Sequence, residues 1–469
     1  MLAHTLLAIA AAASASPMAV AVGGDVPIPG TQLQAAVNAA IAAGSPGLAL
    51  VAGATYTFGN ASFTMRGART FALDGRGATL LFAPGEGVVV RESADAALLN
   101  ITVAYDPPCF TQGTIVAHNA TAYTYDVAID AAYPAPNASA LPHFGSSEVK
   151  LQFWDPTTRL RVSGQSPACV VNIVGATGAP GVWRVSGACG DVPATPVGVL
   201  ATLSPRIGAT YDIPQFYRGS AWWIHGSTNV TSQDVTLTGS GNFAVLEWGG
   251  GGAHTYRRMT LDRVGSNLLS SNTDGFHSFS VGRGPHIVDS DFRFMSDDAL
   301  NFHNRVAVVL AVVDGGASVQ VVDLSDVPSP DGESVPAASA LEDLVPGDNL
   351  KFMTTNRVPH GVDGMVVSSV SAVTDAATLA AARAVAAALP GVSVDPAAVT
   401  VWLVTLVGGV GSTGIAPGDI VQFDRRSCAG GLVENSTFSD AYDGVFRLQA
   451  SNTTLRGNRW QRIAYKLQM

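Results

Sequence analysis

The sequence predicts an all-β protein, a right-handed parallel β-helix with two inserted β-rich, barrel-like modules. Three observations predict it. Four phrases fit one frame: NFAVLEW (242–248), TDGFHSF (273–279), DDALNFH (297–303) and YDGVFRL (442–448). Their columns read Asn242, Thr273, Asp297, Tyr442, then Phe243, Asp274, Asp298, Asp443, then the small Ala244, Gly275, Ala299, Gly444, then the apolar Val245, Phe276, Leu300, Val445. Columns in one phase are what a strand repeated in successive coils of a solenoid produces. The same period of 24 residues separates Thr236 from Thr260 and Asp274 from Asp298. Finally, 50 glycines with only 13% charged and 7% aromatic residues suit many short strands and turns. Antiparallel sandwiches would not need same-phase columns.

The elements follow in order. Residues 1–15 end in Ala13-Ser14-Ala15, a small-x-small pattern after a short apolar core, and read as a secretory signal peptide. Residues 16–105 hold an N-terminal cap helix and the first coils. The helix spans 31–43, with Thr31 as N-cap and Gly44 as stop. A strand-like stretch at 48–58 follows, then a strand pair around Asp74-Gly75 and a strand at 99–105. A helix at the open end of a coil of parallel strands covers core and unpaired backbone. Repeat phrasing is lost over 106–215, where EVKLQFWD and GVWRVSG look antiparallel, so this is an inserted β module. Coils carrying the active site return over 216–305. A second inserted module occupies 306–424, with a helix at 375–391 capped by Asp375 and stopped by Pro390-Gly391. The last coils fill 425–469 and show no capping element before Met469.

A net charge of −10 makes a nucleic-acid backbone an unsuitable partner. No apolar run is long enough to span a bilayer. Asn-x-Ser/Thr sequons at Asn60, Asn100, Asn119, Asn137, Asn229, Asn435 and Asn452 fit a secreted protein, although they come cheaply in a Ser/Thr-rich chain. The four cysteines match no zinc spacing, and Cys169 with Cys189 is the favoured disulfide. Composition leaves a homo-oligomer open.

Chemistry concentrates in 272–305. Equivalent residues of adjacent coils lie about 4.8 Å apart, so Asp274 stacks on Asp298 with Asp297 beside them. Carboxylates that close cannot all ionise freely, and acids in unlike states are what general acid and general base work requires. A bend at Gly275, with Gly444 in the same column, must turn the acids outward. Asp-Gly pairs also mark plain turns, which is the better reading for Asp74, Asp363 and Asp443. His277, Asn301, His303 and Arg305 flank the acids as a polar set suited to sugar hydroxyls. Glu247 and Trp248 fall at the outer end of the preceding coil, where the indole could stack on a sugar face or serve the core. Asn272 and Arg447 complete the candidate substrate-binding residues.

NTDGF followed by a DD pair resembles the polygalacturonase family of glycoside hydrolases, which share the parallel β-helix. The chain lacks that family's Gly-His-Gly and Arg-x-Lys phrases. GRGPHIVDSDF…SDDALNFHNR more closely resembles glycoside hydrolase family 110, and LQAAVNAA…ATYTF resembles the opening cap and first turn of the wider pectin-lyase-like superfamily. Family 110 enzymes are inverting α-1,3-galactosidases with β-barrel modules inserted between coils. The resemblance implies an exo-acting α-galactosidase on galactose-terminated oligosaccharides or glycoconjugates. It implies Asp297 as general acid, Asp274 and Asp298 as the residues that position and deprotonate water, and neither metal nor organic cofactor. Acids one coil apart are closer than the roughly 6.5–9.5 Å of inverting enzymes, and spacing alone points to retention. Two other readings stand beside it. One is a polygalacturonase-like hydrolase or polysaccharide lyase acting on uronates, which calls for a basic or calcium subsite. The other is a non-catalytic glycan-binding β-helix whose acids merely cap corners.

Overall fold

The computed structural model describes residues 26–137, 148–162, 169–190, 192–205, 219–304, 306–323, 344–354, 359–361, 364–388, 400–411, 413–423, 427–441, 444–448, 450–463 and 465–468. The signal-peptide reading, Arg305, Asp363, Asp443 and the Pro390-Gly391 stop lie outside the described residues.

Among the described residues the structure is mostly β. One parallel sheet has 14 strands and a second has eight, and two six-stranded barrels are closed and antiparallel. The chain visits the two parallel sheets alternately, as in Trp222–His225, Thr231–Leu237, Val245–Trp248 and Thr255–Arg257. One continuous core lies between them. It is built from Leu73, Leu98, Val235, Tyr256 and Ile287 on one side and Trp222, Val245, Phe276 and Leu300 on the other. Alternation along each strand sends every second side chain into this core. The strands of the first barrel fall between Thr111 and Pro205, and those of the second between Val306 and Phe423.

The first three sequence phrases stack in register, since Val245, Phe276 and Leu300 are partners in successive strands. The fourth is shifted by one residue, because Leu300 pairs with Phe446 and Asn301 with Arg447. The expected frame would have put Arg447 in the column of Phe302, which faces the core. The shift removes it from that column, as the period-two logic of a half-buried strand demands.

The period is also less regular than expected. Residues stack at 24 in Asp234–Arg258, at 31 in Met259–Ser290 and at 22 in Glu434–Arg456. The longer circuit carries the loop that follows Leu261. That loop docks the first barrel, where Gln112 Nε2 donates to Ser266 O at 2.9 Å and Tyr133 Oη to Asn267 Oδ1 at 2.7 Å.

The chain turns at columns of left-handed residues. One column holds Thr70, Asp95, Asn229, Ala253, Gly430 and Asn452, and another Asn100, Asp234, Arg258, Asp289, Asn435 and Gly457, all with positive φ. Polar residues with short side chains tolerate this conformation best after glycine. Their amides bond along the column, as in Asn229 Nδ2 to Asp95 Oδ1 at 2.6 Å and Asn100 Nδ2 to Asp74 Oδ1 at 3.0 Å. Asp74 thus has the expected turn role. The expected strand pair around it is instead one bulged parallel strand, Ala72–Phe82.

The N-terminal helix spans Gly30–Ala42, and Thr31 is not its cap. The chain enters straight from the strand Ile28–Pro29, so Pro29 takes the cap position with no side-chain bond. Gly44, at φ 66°, is the stop. Gln34 then closes the open edge of the second sheet. Its Oε1 accepts from Thr64 N at 2.8 Å and its Nε2 donates to Thr64 O at 2.6 Å. The second helix is Ala376–Ala388, and Asp375 caps it by accepting from Thr378 N at 2.7 Å. Cys169 and Cys189 form a disulfide, while Cys109 and Cys428 are buried thiols.

Candidate active site

Asp274 and Asp298 sit where the chain bends from one sheet into the other. Bends fall at 272–273 and 275 in one circuit and at 296–297 and 299 in the next. The backbones of the two circuits are tied by Gly275 N donating to Asp298 O at 2.9 Å and Phe276 N to Ala299 O at 3.1 Å. Gly275 does not have a left-handed φ. Its role is close approach, since a Cβ there would lie 3.0 Å from Ala299 O. Asp274 turns outward, to the face of the strand Phe276–Phe279 opposite the core-facing Phe276.

One carboxylate oxygen each from Asp274, Asp297 and Asp298 lies within 4.8 Å of the others. Asp274 is the most enclosed, with a side chain 6% exposed, and its Oδ2 lies 2.7 Å from His277 Nδ1. His277 Nε2 in turn lies 2.8 Å from His303 Nε2. The imidazole of His277 packs on Phe243 with centroids 4.4 Å apart, and that of His303 on Phe279 at 4.5 Å. Asn301 belongs to the same outward face. It is buried, and its Oδ1 has no hydrogen-bond partner among the described residues.

Lys150, which the sequence reading missed, reaches in from the first barrel. Its ammonium donates to Asp297 Oδ2 at 3.0 Å, and its side chain is only 10% exposed. Two residues along the same strand, Gln152 Nε2 donates to Ser296 Oγ at 3.2 Å. In Glu148–Trp154 the residues Val149, Leu151 and Phe153 fill the barrel core. Lys150, Gln152 and Trp154 occupy the other face and are buried as well. The sequence signal was faint: a Trp closing the polar side of an alternating strand implies that this side is covered too.

Two expected substrate residues are placed elsewhere. Glu247 points into the core between the sheets, because it lies two residues from the inward Val245. It is fully buried and accepts from Tyr256 Oη at 2.9 Å and Ser278 Oγ at 2.5 Å. Burial pushes its carboxyl up to about 8. Asn272 is also buried, and its amide nitrogen holds backbone carbonyls of Cys109 at 3.0 Å and Gly241 at 3.1 Å, bracing the bend. Trp248 is half-buried on the outward face, 6.2 Å from Phe279 between ring centroids. Arg447 stands in the column of Asn301 by its backbone register.

No family model matches the chain, and no curated protein does. Among solved structures it is similar to a protein from Parabacteroides merdae ATCC 43184 provisionally described as a glycosyl hydrolase. The two share 11% identity at a TM-score of 0.27, over 69% of this chain and 99% of that one. So distant a likeness decides neither fold nor activity. What the site itself defines is a cluster of three carboxylates in unlike surroundings, one held by imidazole and one by ammonium.

Proposed function

We propose that the chain is a glycoside hydrolase that removes terminal α-linked galactose, built on a right-handed parallel β-helix whose faces are the two parallel sheets. The carrying observation is the convergence of Asp274, Asp297 and Asp298 within 4.8 Å, on an outward face that also bears His277, Asn301 and His303. Close carboxylates in different environments can divide acid and base work. Asn301 Oδ1, buried and without a partner among the described residues, suits a sugar hydroxyl donor, because a buried acceptor is costly until it is bonded. In this reading Asp297 protonates the glycosidic oxygen while Asp274 and Asp298 hold and deprotonate water, giving inversion. The protein acts as a secreted enzyme.

One observation favours a second allocation of roles. Lys150 Nζ lies 3.0 Å from Asp297 Oδ2, the geometry of an ion pair. A resting enzyme with that pair intact would use Asp298 as the acid. The short separation of the three oxygens also sits nearer to the roughly 5–5.5 Å of retaining enzymes than to inverting spacing. Proton NMR of the first sugar released from an α-galactoside decides the outcome. A β-galactose product supports inversion, an α product supports retention, and turnover of polygalacturonate alone would overturn the substrate class.

Lys150→Met should lower kcat on the order of tenfold, the rate equivalent of ~1.4 kcal/mol, with Lys150→Arg partly restoring it. Steady-state kinetics on a natural α-galactoside, whose leaving group needs protonation, provide the check. An unchanged kcat would mean that the barrel lysine is only a docking contact.

A further inference from the structure

We propose that His277 and His303 form a two-imidazole positioning chain that fixes Asp274 as the ionised base of the cluster. The inference rests on the glycosidase reading and deepens it by assigning the state of one acid.

Hydrogen-bond valence carries the argument. The 2.8 Å contact joins two Nε2 atoms, so a single proton lies between the rings. An ionised carboxylate can only accept, which places a proton on His277 Nδ1. Neutral His277 then offers a bare Nε2, and the shared proton belongs to His303. With that proton on His277 Nε2, an imidazolium His277 would still donate from Nδ1 to an ionised Asp274, whereas a neutral His277 leaves Nδ1 bare. Nδ1 could then bond Asp274 only if Asp274 were itself protonated, and a protonated Asp274 is no base. The 2.7 Å distance from Asp274 Oδ2 to His277 Nδ1 falls in the charge-assisted range and favours an ionised Asp274.

Neither ring can turn freely. Phe243 packs on one imidazole and Phe279 on the other, and both histidines are buried. The chain therefore fixes the plane of the Asp274 carboxylate as well as its charge. Among the described residues, the other titratable groups around it are Asp297 and Asp298 in the next circuit, Lys150 from the barrel, and the Cys428 thiol, which donates to His303 O at 3.4 Å. Glu247 lies on the inner face, behind Ser278.

Two measurements test the proposal. In nitrogen NMR of the histidine-labelled protein, His277 should carry its proton on Nδ1 and His303 on Nε2. A His277 protonated on Nε2 alone would overturn the assignment. In kinetics, His303→Ala should cut kcat about tenfold with KM within twofold, and should move the acid limb of the kcat/KM profile to higher pH. The direction follows because Asp274 loses support for its charge. His303→Gln, whose amide can still donate to His277 Nε2, should restore most of both. An acid limb that stays at the wild-type pH despite lost activity would reduce the pair to packing. Should the wild-type protein hydrolyse no glycoside, the enzymatic reading fails. The tautomers in the wild type and in Asp274→Asn still decide whether the chain holds that acid.

Discussion

Asp274→Asn and Asp298→Asn should each lower turnover of a natural α-galactoside about 10²–10⁴-fold, the usual worth of a positioned acid or base. Asp297→Asn should do the same. The three losses should not add in double variants, because the residues act as one unit on one water and one leaving oxygen. Leaving-group chemistry separates the roles. A nitrophenolate leaves without protonation, so the variant lacking the general acid should keep most of its turnover on the nitrophenyl glycoside. The variant lacking the base should stay slow on both substrates. A spared Asp297→Asn names Asp297 as the acid, and a spared Asp298→Asn names Asp298 and supports the resting Lys150 ion pair. Three variants within a few-fold of wild type on both substrates would return the cluster to a structural corner.

Glu247→Gln should stabilise the protein at pH 8 and flatten the alkaline side of its stability profile. Burial raises the folded carboxyl from the ordinary 4.5 to about 8. Between those values the folded state keeps a proton that the unfolded chain has released, so stability is full below about pH 4.5 and falls as pH rises towards 8. The loss is ~5 kcal/mol at most, on one pKa unit being about 1.4 kcal/mol. Tyr256 Oη and Ser278 Oγ both donate to this carboxyl, but burial outweighs their pull, and a glutamine amide oxygen can accept from the same hydroxyls. His254 works in the opposite direction. Burial lowers its imidazole from 6.5 to about 3, so its contribution is lost as pH falls below 6.5. The two slopes oppose each other between about 4.5 and 6.5, which should leave a plateau of thermal stability there. Melting temperatures of the wild type and Glu247→Gln from pH 4 to 8.5 provide the measurement, and parallel curves would sink the assignment.

Much of this was legible in the chain because stacked parallel strands write their geometry as repetition. The small column of Ala244, Gly275 and Ala299 reports the close approach of backbones, and the apolar column beside it reports the core. The acid pair was readable for the same reason, since stacking converts a sequence separation of 24 into contact. Three things were not. Lys150 is brought to Asp297 by docking of the barrel, 147 residues away along the chain, and no periodicity records that. Glu247 appeared to belong to the sugar site because the phrase NFAVLEW gives register without showing that Glu247 shares the inward face of Val245. Arg447 was misaligned because a one-residue slip looks trivial on paper and exchanges the two faces of a strand.

The left-handed corners carry a lesson about motif evidence. Each coil turns on a residue that asparagine fills well, continues through a residue near the core, and resumes a strand, where threonine is favoured. Asn229-Val230-Thr231 and Asn452-Thr453-Thr454 arise this way at one corner, and Asn100-Ile101-Thr102 and Asn435-Ser436-Thr437 at the other. The fold thus spells N-glycosylation acceptors for its own steric reasons. Asn100 and Asn229 already commit their amides to neighbouring aspartates, the very nitrogens a glycan would have to occupy. In such a chain the number of acceptor triplets says little about cellular address. Occupancy at the unconstrained sites, read by mass spectrometry, is the informative quantity.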